Sequence, residues 1–120
     1  MLTTGVDMIE NERIGRSLAR FGSRFADRIF TAQEQAHCGG RIPSLAARFA
    51  IKEAVAKALG TGIGDVRWLD IEVVSDERGK PTLHLHNHAQ VLAAEQGIQQ
   101  WSISLSHTAD HAIGFVVGLG

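Results

Sequence analysis

Pro43-Ser44-Leu45-Ala46-Ala47-Arg48-Phe49-Ala50-Ile51-Lys52-Glu53-Ala54-Val55-Ala56-Lys57-Ala58-Leu59-Gly60 is the stretch from which the rest of the chain is read. Proline suits a first helical turn, where its missing N–H would have no partner anyway, and glycine commonly ends a helix. The two limits predict one helix from Pro43-Ser44 to Leu59, stopped at Gly60. Six alanines (Ala46, Ala47, Ala50, Ala54, Ala56 and Ala58) are interspersed with the bulkier Leu45, Phe49, Ile51, Val55 and Leu59. A helix that is apolar on most sides is mostly buried. Lys52, Glu53 and Lys57 nevertheless lie inside it, and ionised side chains there are costly unless paired, solvated or bound to an ion. Glu53 precedes Lys57 by four residues and shares its face, which suits either a surface ion pair or a joint site. Arg48 lies nine residues before Lys57, so at about 100° per residue the two project from opposite sides. For both to serve one compact ligand, they must come from neighbouring subunits; otherwise Arg48 is a lone arginine on a solvated or core-rim face.

Upstream, Leu2 to Ile9 reads as a strand running into Glu10-Asn11-Glu12, whose acidity suits the positive end of a helix reaching about Phe21. Ile14, Leu18, Phe21 and Phe25 recur at helical spacing and are core candidates. Thr31-Ala32-Gln33-Glu34 has the spacing of a capping box opening a short helix to about His37, broken by Cys38-Gly39-Gly40. Downstream, Trp68 to Ser75 and Pro81 to His86 read as strands around a turn at Glu77-Arg78-Gly79-Lys80. Asn87 is expected to cap a helix to about Gln96, ended by Gly97, and Gln99 to Ser106 with His111 to Leu119 to form an antiparallel pair. Helices first and strands later imply an α+β fold: one compact domain, residues 1–120, with a mainly antiparallel sheet packed against the long buried helix.

The chain has 120 residues, 44% hydrophobic and 21% charged, the balance of an ordinary globular domain. At this size roughly 60% of the unfolded surface is buried, which leaves site walls to be completed by a second subunit. No window approaches the ~20 apolar residues of a membrane span, and no basic start leads into an apolar run and cleavage site, so the expected compartment is the cytoplasm. A single cysteine, Cys38, excludes an intramolecular disulfide and a thiolate metal cage. With 12 Lys+Arg against 13 Asp+Glu, the net charge of −1 provides no general attraction to nucleic acid or membrane.

Local charge is more telling. Arg13, Arg16, Arg20 and Arg24 form a basic stripe beside the apolar one, either a solvated face or a docking edge for an acidic partner. Bases would need interleaved aromatics for stacking, and Phe21 and Phe25 fit the core stripe better, so an acidic protein is the expected partner and nucleic acid is not. Asp7 interrupts a strand in which Val6, Met8 and Ile9 predict burial on at least one side. It is either a cap or hydrogen-bonded carboxylate, or, converging with Glu53, half of a hard-oxygen Mg²⁺ site for phosphate chemistry. Gly60-Thr61-Gly62-Ile63-Gly64 follows a helix rather than preceding one, so it is a helix end and turn whose glycines still let a ligand approach the backbone. His84-Leu85-His86-Asn87-His88 lacks a further ligand at fixed spacing and reads as polar strand residues rather than zinc ligands. His107 before Thr108-Ala109-Asp110-His111 suits a solvated turn, a phosphate contact or a proton shuttle. No elbow motif surrounds Ser104, Ser106 or Cys38, so covalent catalysis is not expected.

Taken together, Gly5-Val6-Asp7 with Arg13-Ile14, Arg48-Phe49-Ala50-Ile51-Lys52-Glu53 through Lys57 to Gly60-Thr61-Gly62-Ile63, Phe30-Thr31 with Glu34, Asp70-Ile71-Glu72, Gly79-Lys80-Pro81 and Ser104-Leu105-Ser106-His107-Thr108 closely resemble the holo-[acyl-carrier-protein] synthase family, the short single-domain type of 4′-phosphopantetheinyl transferase. The resemblance spans nearly the whole chain in order. It implies transfer of the phosphopantetheine arm of coenzyme A to a serine of apo acyl carrier protein, in support of fatty acid biosynthesis. It further implies Asp7 and Glu53 as Mg²⁺ ligands, and Glu53 also as the group that activates the serine. Lys57 would stabilise the pyrophosphate. Arg48, Lys57, Gly60, Gly62, Lys80, His107 and Thr108 would contact coenzyme A, and the basic stripe would dock the carrier. Homotrimers with sites at subunit interfaces are implied as well. The segment from His37 to Ser44 looks shorter than in many relatives, and Trp101 stands where they commonly carry smaller residues. Two other classes compete: a non-catalytic module binding an acidic protein or RNA, indifferent to Mg²⁺, and a Mg²⁺-dependent hydrolase of a nucleotide pyrophosphate.

Overall fold

The structure, a computed structural model, describes residues 1–120. Its elements in chain order are β1 (Leu2–Glu10), α1 (Asn11–Phe21), α2 (Ser23–Ile29), α3 (Ala32–Cys38), α4 (Ile42–Ala58), a 3₁₀ turn (Trp68–Asp70), β2 (Ile71–Ser75), β3 (Pro81–Leu85), α5 (Asn87–Glu95), β4 (Gln100–His107) and β5 (His111–Leu119). All strand pairing is antiparallel: β1-β5-β4 form one sheet and β2-β3 a second. The long helix begins and ends where its proline and glycine predict, and Gly60 takes φ +75° just beyond it.

α4 lies directly on the larger sheet because two strand residues lack side chains. A Cβ on Gly5 would stand 1.9 Å from the Ala54 carbonyl oxygen, and one on Gly114 would stand 2.6 Å from Ile51 N. Ala50, Ala54 and Ala58 complete this seam, each buried. On one side of α4, Ile51, Val55 and Leu59 pack with Ile71, Val73, Ile103 and Val116; on another, Leu45 and Phe49 pack with Ile14, Ile29 and Phe30. Trp68 stacks on Phe49 with ring centroids 4.7 Å apart, docking the 3₁₀ turn onto the helix. Trp101 packs against the first of these clusters and covers Gly118.

Several expectations are corrected. β1 buries Gly5 and Ile9 but exposes Val6 and Met8, because the inward face belongs to Thr3, Gly5, Asp7 and Ile9. Met8 is 65% exposed. Phe21 is exposed too: Gly22 at φ +57° ends α1 and turns the chain into a separate helix, so the period-3.6 stripe does not carry through. Trp68–Asp70 is helical rather than strand. Asn87 caps nothing; it adopts φ +50° and its Nδ2 donates to Asp70 Oδ1 at 3.0 Å, whereas the N-cap position is His86. The capping box at Thr31 and Glu34 is present in full.

Candidate functional site

β1 carries Asp7 on its inward face, opposite Gly114 of β5. Lys57, in the last turn of α4, donates to Asp7 Oδ1 at 3.0 Å and to the Val6 carbonyl at 3.0 Å. The Asp7 side chain is 20% exposed and that of Lys57 55%, so the pair sits at the rim rather than in the core. Glu53 lies one turn earlier on the same face. Burial first, and then the nearby Asp7 carboxylate, push the Glu53 carboxyl above its ordinary value, while Lys57 and Arg13 pull it back. Asp7, Glu53, Lys57 and Arg13 therefore share one electrostatic neighbourhood. Of the two readings of Glu53 and Lys57, the i, i+4 ion pair does not form; Lys57 bridges to the strand instead. No cluster of three or more His, Cys, Asp or Glu side chains suited to a metal is present. The two carboxylates still fit a hard divalent cation that uses one or two acids and completes its shell with water and substrate phosphate. Their mutual repulsion is what such a cation would relieve.

Arg48 is on another side of α4, as its spacing from Lys57 requires. It is only 5% exposed, and its guanidinium donates to the Ser44 carbonyl at 3.2 Å and to Ser75 Oγ at 3.4 Å. Its Nε has no partner. Ser75 Oγ lies 3.3 Å from His37 Nε2, and beyond Ser75 the Asp76 carboxylate accepts from the amides of Arg78 and Lys80, bracing the turn that carries Lys80. Within one chain, Arg48 and Lys80 are thus grouped apart from Asp7, Glu53 and Lys57. Gly60 closes the helix with its N–H on the Lys57 carbonyl, and Gly62 faces open space. His107 and Thr108 end β4, where they line a cavity of about 140 Å³ with Met8, Ser106 and His111.

The arginine stripe is split by the bend at Gly22. Arg13, Arg16 and Arg20 are exposed on α1, with Arg16 paired to Glu12 at 3.1 Å and Arg20 lying 5.1 Å over the Phe21 ring. Arg24 is on α2, where with Arg28, Phe21 and Phe25 it lines a groove of about 300 Å³. Arg28 continues the basic run onto α2, and Phe21 and Phe25, which their spacing assigns to the core, line this groove. A larger cavity of about 460 Å³ runs from Asp27 and Arg28 to Ile63 and Trp68 and holds none of the candidate site residues. His84 lies 3.2 Å from Thr82 Oγ1 and His86 pairs with Glu72 at 3.0 Å, so neither histidine belongs to a metal-like cluster.

Sequence reasoning missed the partner of Lys52. The side chains of Lys52 and Glu34 are fully buried and meet at 2.9 Å; Lys52 also donates to the carbonyls of Trp68 and Ile71, and Glu34 accepts from Thr31 N and Val73 N. The signal was available: a helix with no solvated face at Lys52 demands an acid, and the cap residue Glu34 is one.

A family model described as the 4′-phosphopantetheinyl transferase superfamily matches residues 3–116. The holo-[acyl-carrier-protein] synthase of Herpetosiphon aurantiacus is 52% identical over 127 aligned residues that cover 100% of both chains. That of Alkaliphilus metalliredigens is 46% identical and 91% of each chain is covered. Among solved structures, Helicobacter pylori holo-[acyl-carrier-protein] synthase in complex with coenzyme A superposes with a TM-score of 0.89 at 32% identity, covering 97% of this chain and 99% of that one.

Proposed function

The chain belongs to the 4′-phosphopantetheinyl transferase superfamily, and from that premise we infer how its own residues perform the reaction. It is a transferase of the holo-[acyl-carrier-protein] synthase type, moving 4′-phosphopantetheine from coenzyme A to a serine of apo acyl carrier protein. In the transfer step, the serine Oγ forms a bond to the β-phosphorus and the pyrophosphate P–O bond breaks. Adenosine 3′,5′-bisphosphate leaves, and the serine proton passes to a base.

The observation that carries the assignment of roles is the convergence of Asp7, Glu53 and Lys57 between β1 and α4. Asp7 and Glu53 would hold Mg²⁺, which supplies positive charge to the pyrophosphate when bound. Glu53 takes the serine proton, directly or through a water. Lys57, half exposed and already directed at this spot, neutralises charge on the phosphate as the leaving group departs. The work is positioning and electrostatics rather than covalent catalysis.

Arg48, Lys80, His107 and Thr108 serve the coenzyme A bound at a neighbouring subunit's carboxylates, with Gly60 and Gly62 allowing close approach of the ligand to the backbone. The assembly is a homotrimer, and two features support the subunit interface that a shared site requires. Arg48 and Lys57 stand on different sides of α4, and the outer face of β1 and β5 exposes Leu2, Val6, Met8, Ile113, Phe115 and Leu119 together. An exposed apolar patch of that kind is characteristic of an interaction surface. Arg13, Arg16, Arg20 and Arg24 dock the acidic carrier, and the reaction supplies carriers for fatty acid synthesis in the cytoplasm.

The test is intact mass spectrometry of apo acyl carrier protein after incubation with this chain, coenzyme A and Mg²⁺, beside a chelator control. A gain of one phosphopantetheine mass that chelator abolishes is the expected result. Cleavage of coenzyme A without any gain would replace transfer by hydrolysis, and neither change would leave a binding module.

A further inference from the structure

Asn11 opens α1 and is 5% exposed, yet it faces a turn nearly a hundred residues away in sequence. Its Nδ2 donates to the carbonyls of Thr108 at 2.9 Å and Ala109 at 3.1 Å, and its backbone N–H donates to the Asp110 carbonyl at 2.8 Å. All three N–H hydrogens of one residue are thus given to three consecutive carbonyls. The turn is also closed on itself: Thr108 Oγ1 accepts from the amides of Asp110 and His111, and Thr108 N donates to the His111 carbonyl. The turn is thus braced internally and tied to α1.

Asn11 Oδ1, by contrast, is buried without any partner. An orphaned buried acceptor is a standing cost that an apolar side chain of similar size would avoid. What an apolar residue would forfeit is the two side-chain bonds to the turn, leaving only the backbone N–H on the Asp110 carbonyl. Those bonds join two surfaces: Arg13 and Arg16, on the first turns of α1, and His107 with Thr108, at the mouth of β4 and β5. Met8 and His111 line both the cavity at His107 and the one at Arg13 and Arg16, so the two surfaces adjoin.

We propose that Asn11 is a positioning residue that couples docking of the acidic carrier on α1 to the turn from His107 to His111, and so to the coenzyme A that this turn contacts at the neighbouring subunit's carboxylates. The inference rests on the roles assigned above to the arginines and to His107 and Thr108. Any tilt of α1 on docking is passed to three carbonyls of the turn, and reciprocity requires coenzyme A to strengthen carrier binding by the factor by which the carrier strengthens coenzyme A binding.

Calorimetry tests this, with coenzyme A titrated into the chain plus Mg²⁺, with and without an apo carrier whose acceptor serine is replaced by alanine so that no turnover occurs. The carrier should raise coenzyme A affinity by at least about 5-fold. In Asn11→Leu, which keeps only the backbone bond to Asp110, the factor should fall toward one, and in turnover assays the KM for coenzyme A should depend less on carrier concentration while kcat at saturation is kept. A merely structural Asn11 would lower the melting temperature and leave the coupling in place, which would overturn the proposal, as would absence of coupling in the unsubstituted chain. Should Asn11→Leu not fold, hydrogen exchange on the unsubstituted chain decides. Carrier binding should slow exchange of the Thr108 and His111 amides, and unchanged exchange there would overturn the inference. Failure of the family reading is separable, because it appears in the mass measurement on the unsubstituted chain.

Discussion

Glu53, the proposed base and metal ligand, stands in surroundings whose cost pH makes visible. Burial, then Asp7, raises its carboxyl above the ordinary value, so between that value and the raised one the folded chain holds more protons than the unfolded chain. Stability of the metal-free chain should therefore fall as pH rises through this window. Urea midpoints measured across pH should show that fall, and Glu53→Gln should flatten it while abolishing transfer. Retention of near-normal turnover by both Glu53→Gln and Asp7→Asn would remove the proposed metal site. Lys52 presents the opposite case, a charge with no exposed surface whose acid, Glu34, is equally buried. Burial holds Lys52 below its ordinary value even though Glu34 opposes the shift. Lys52→Met should strand the Glu34 carboxylate and cost about 3–5 kcal/mol in chemical denaturation, far more than a surface substitution.

At the scale of elements, the contact of α4 with the sheet decides where the site lies. Gly5 and Gly114 let the helix backbone touch the strands, and Asp7, two residues beyond Gly5 and opposite Gly114, is thereby brought to Lys57. Gly5→Ala would place a Cβ inside the contact distance of the Ala54 carbonyl, so the helix must lift. Destabilisation at or beyond the upper end of the ~1–3 kcal/mol of overpacked cores is expected, together with loss of transfer. Gly22→Ala, at φ +57° with open space around it, should cost less and chiefly alter the angle between α1 and α2, read as weakened carrier binding. The proposed docking arginines are spread over these helices. Neutralising Arg13 and Arg20 should weaken carrier binding and flatten its salt dependence, measured by titration at several ionic strengths; unchanged affinity at low salt would reduce the stripe to a solvated face.

For the whole molecule, the central matter is that one chain does not bring its candidate residues into one cleft. Arg48 is held against Ser44 and Ser75, and Lys57 against Asp7, across the thickness of a helix. If sites are shared, mixing two inactive variants, Arg48→Ala and Glu53→Gln, and allowing subunits to exchange should restore part of the activity, because some interfaces then pair an intact Arg48 with an intact Glu53. If subunits join through the exposed face of β1, Met8→Asp should yield monomers in sedimentation experiments and abolish transfer while leaving the isolated fold intact. A fully active monomer would end the shared-site reading.

Much of this was legible in the chain itself because it depends on neighbours in sequence. The limits of α4 follow from Pro43 and Gly60, its burial from its alanines, the start of α3 from Thr31 and Glu34, and the opposed faces of Arg48 and Lys57 from helical spacing. Those are local rules of backbone geometry, and they survive folding unchanged. Only the tertiary structure decided which charges meet. Lys57 chose Asp7, 50 residues away, over Glu53 on its own helix, and Lys52 found Glu34, 18 residues back. Phe21 lost its expected place in the core to a turn at Gly22, and Asn11 acquired partners at Thr108 and Ala109. The physical reason is the same in each case. A buried or half-buried polar group takes the partner that packing brings within hydrogen-bond reach, and packing here is set by two glycines that admit a helix to a sheet.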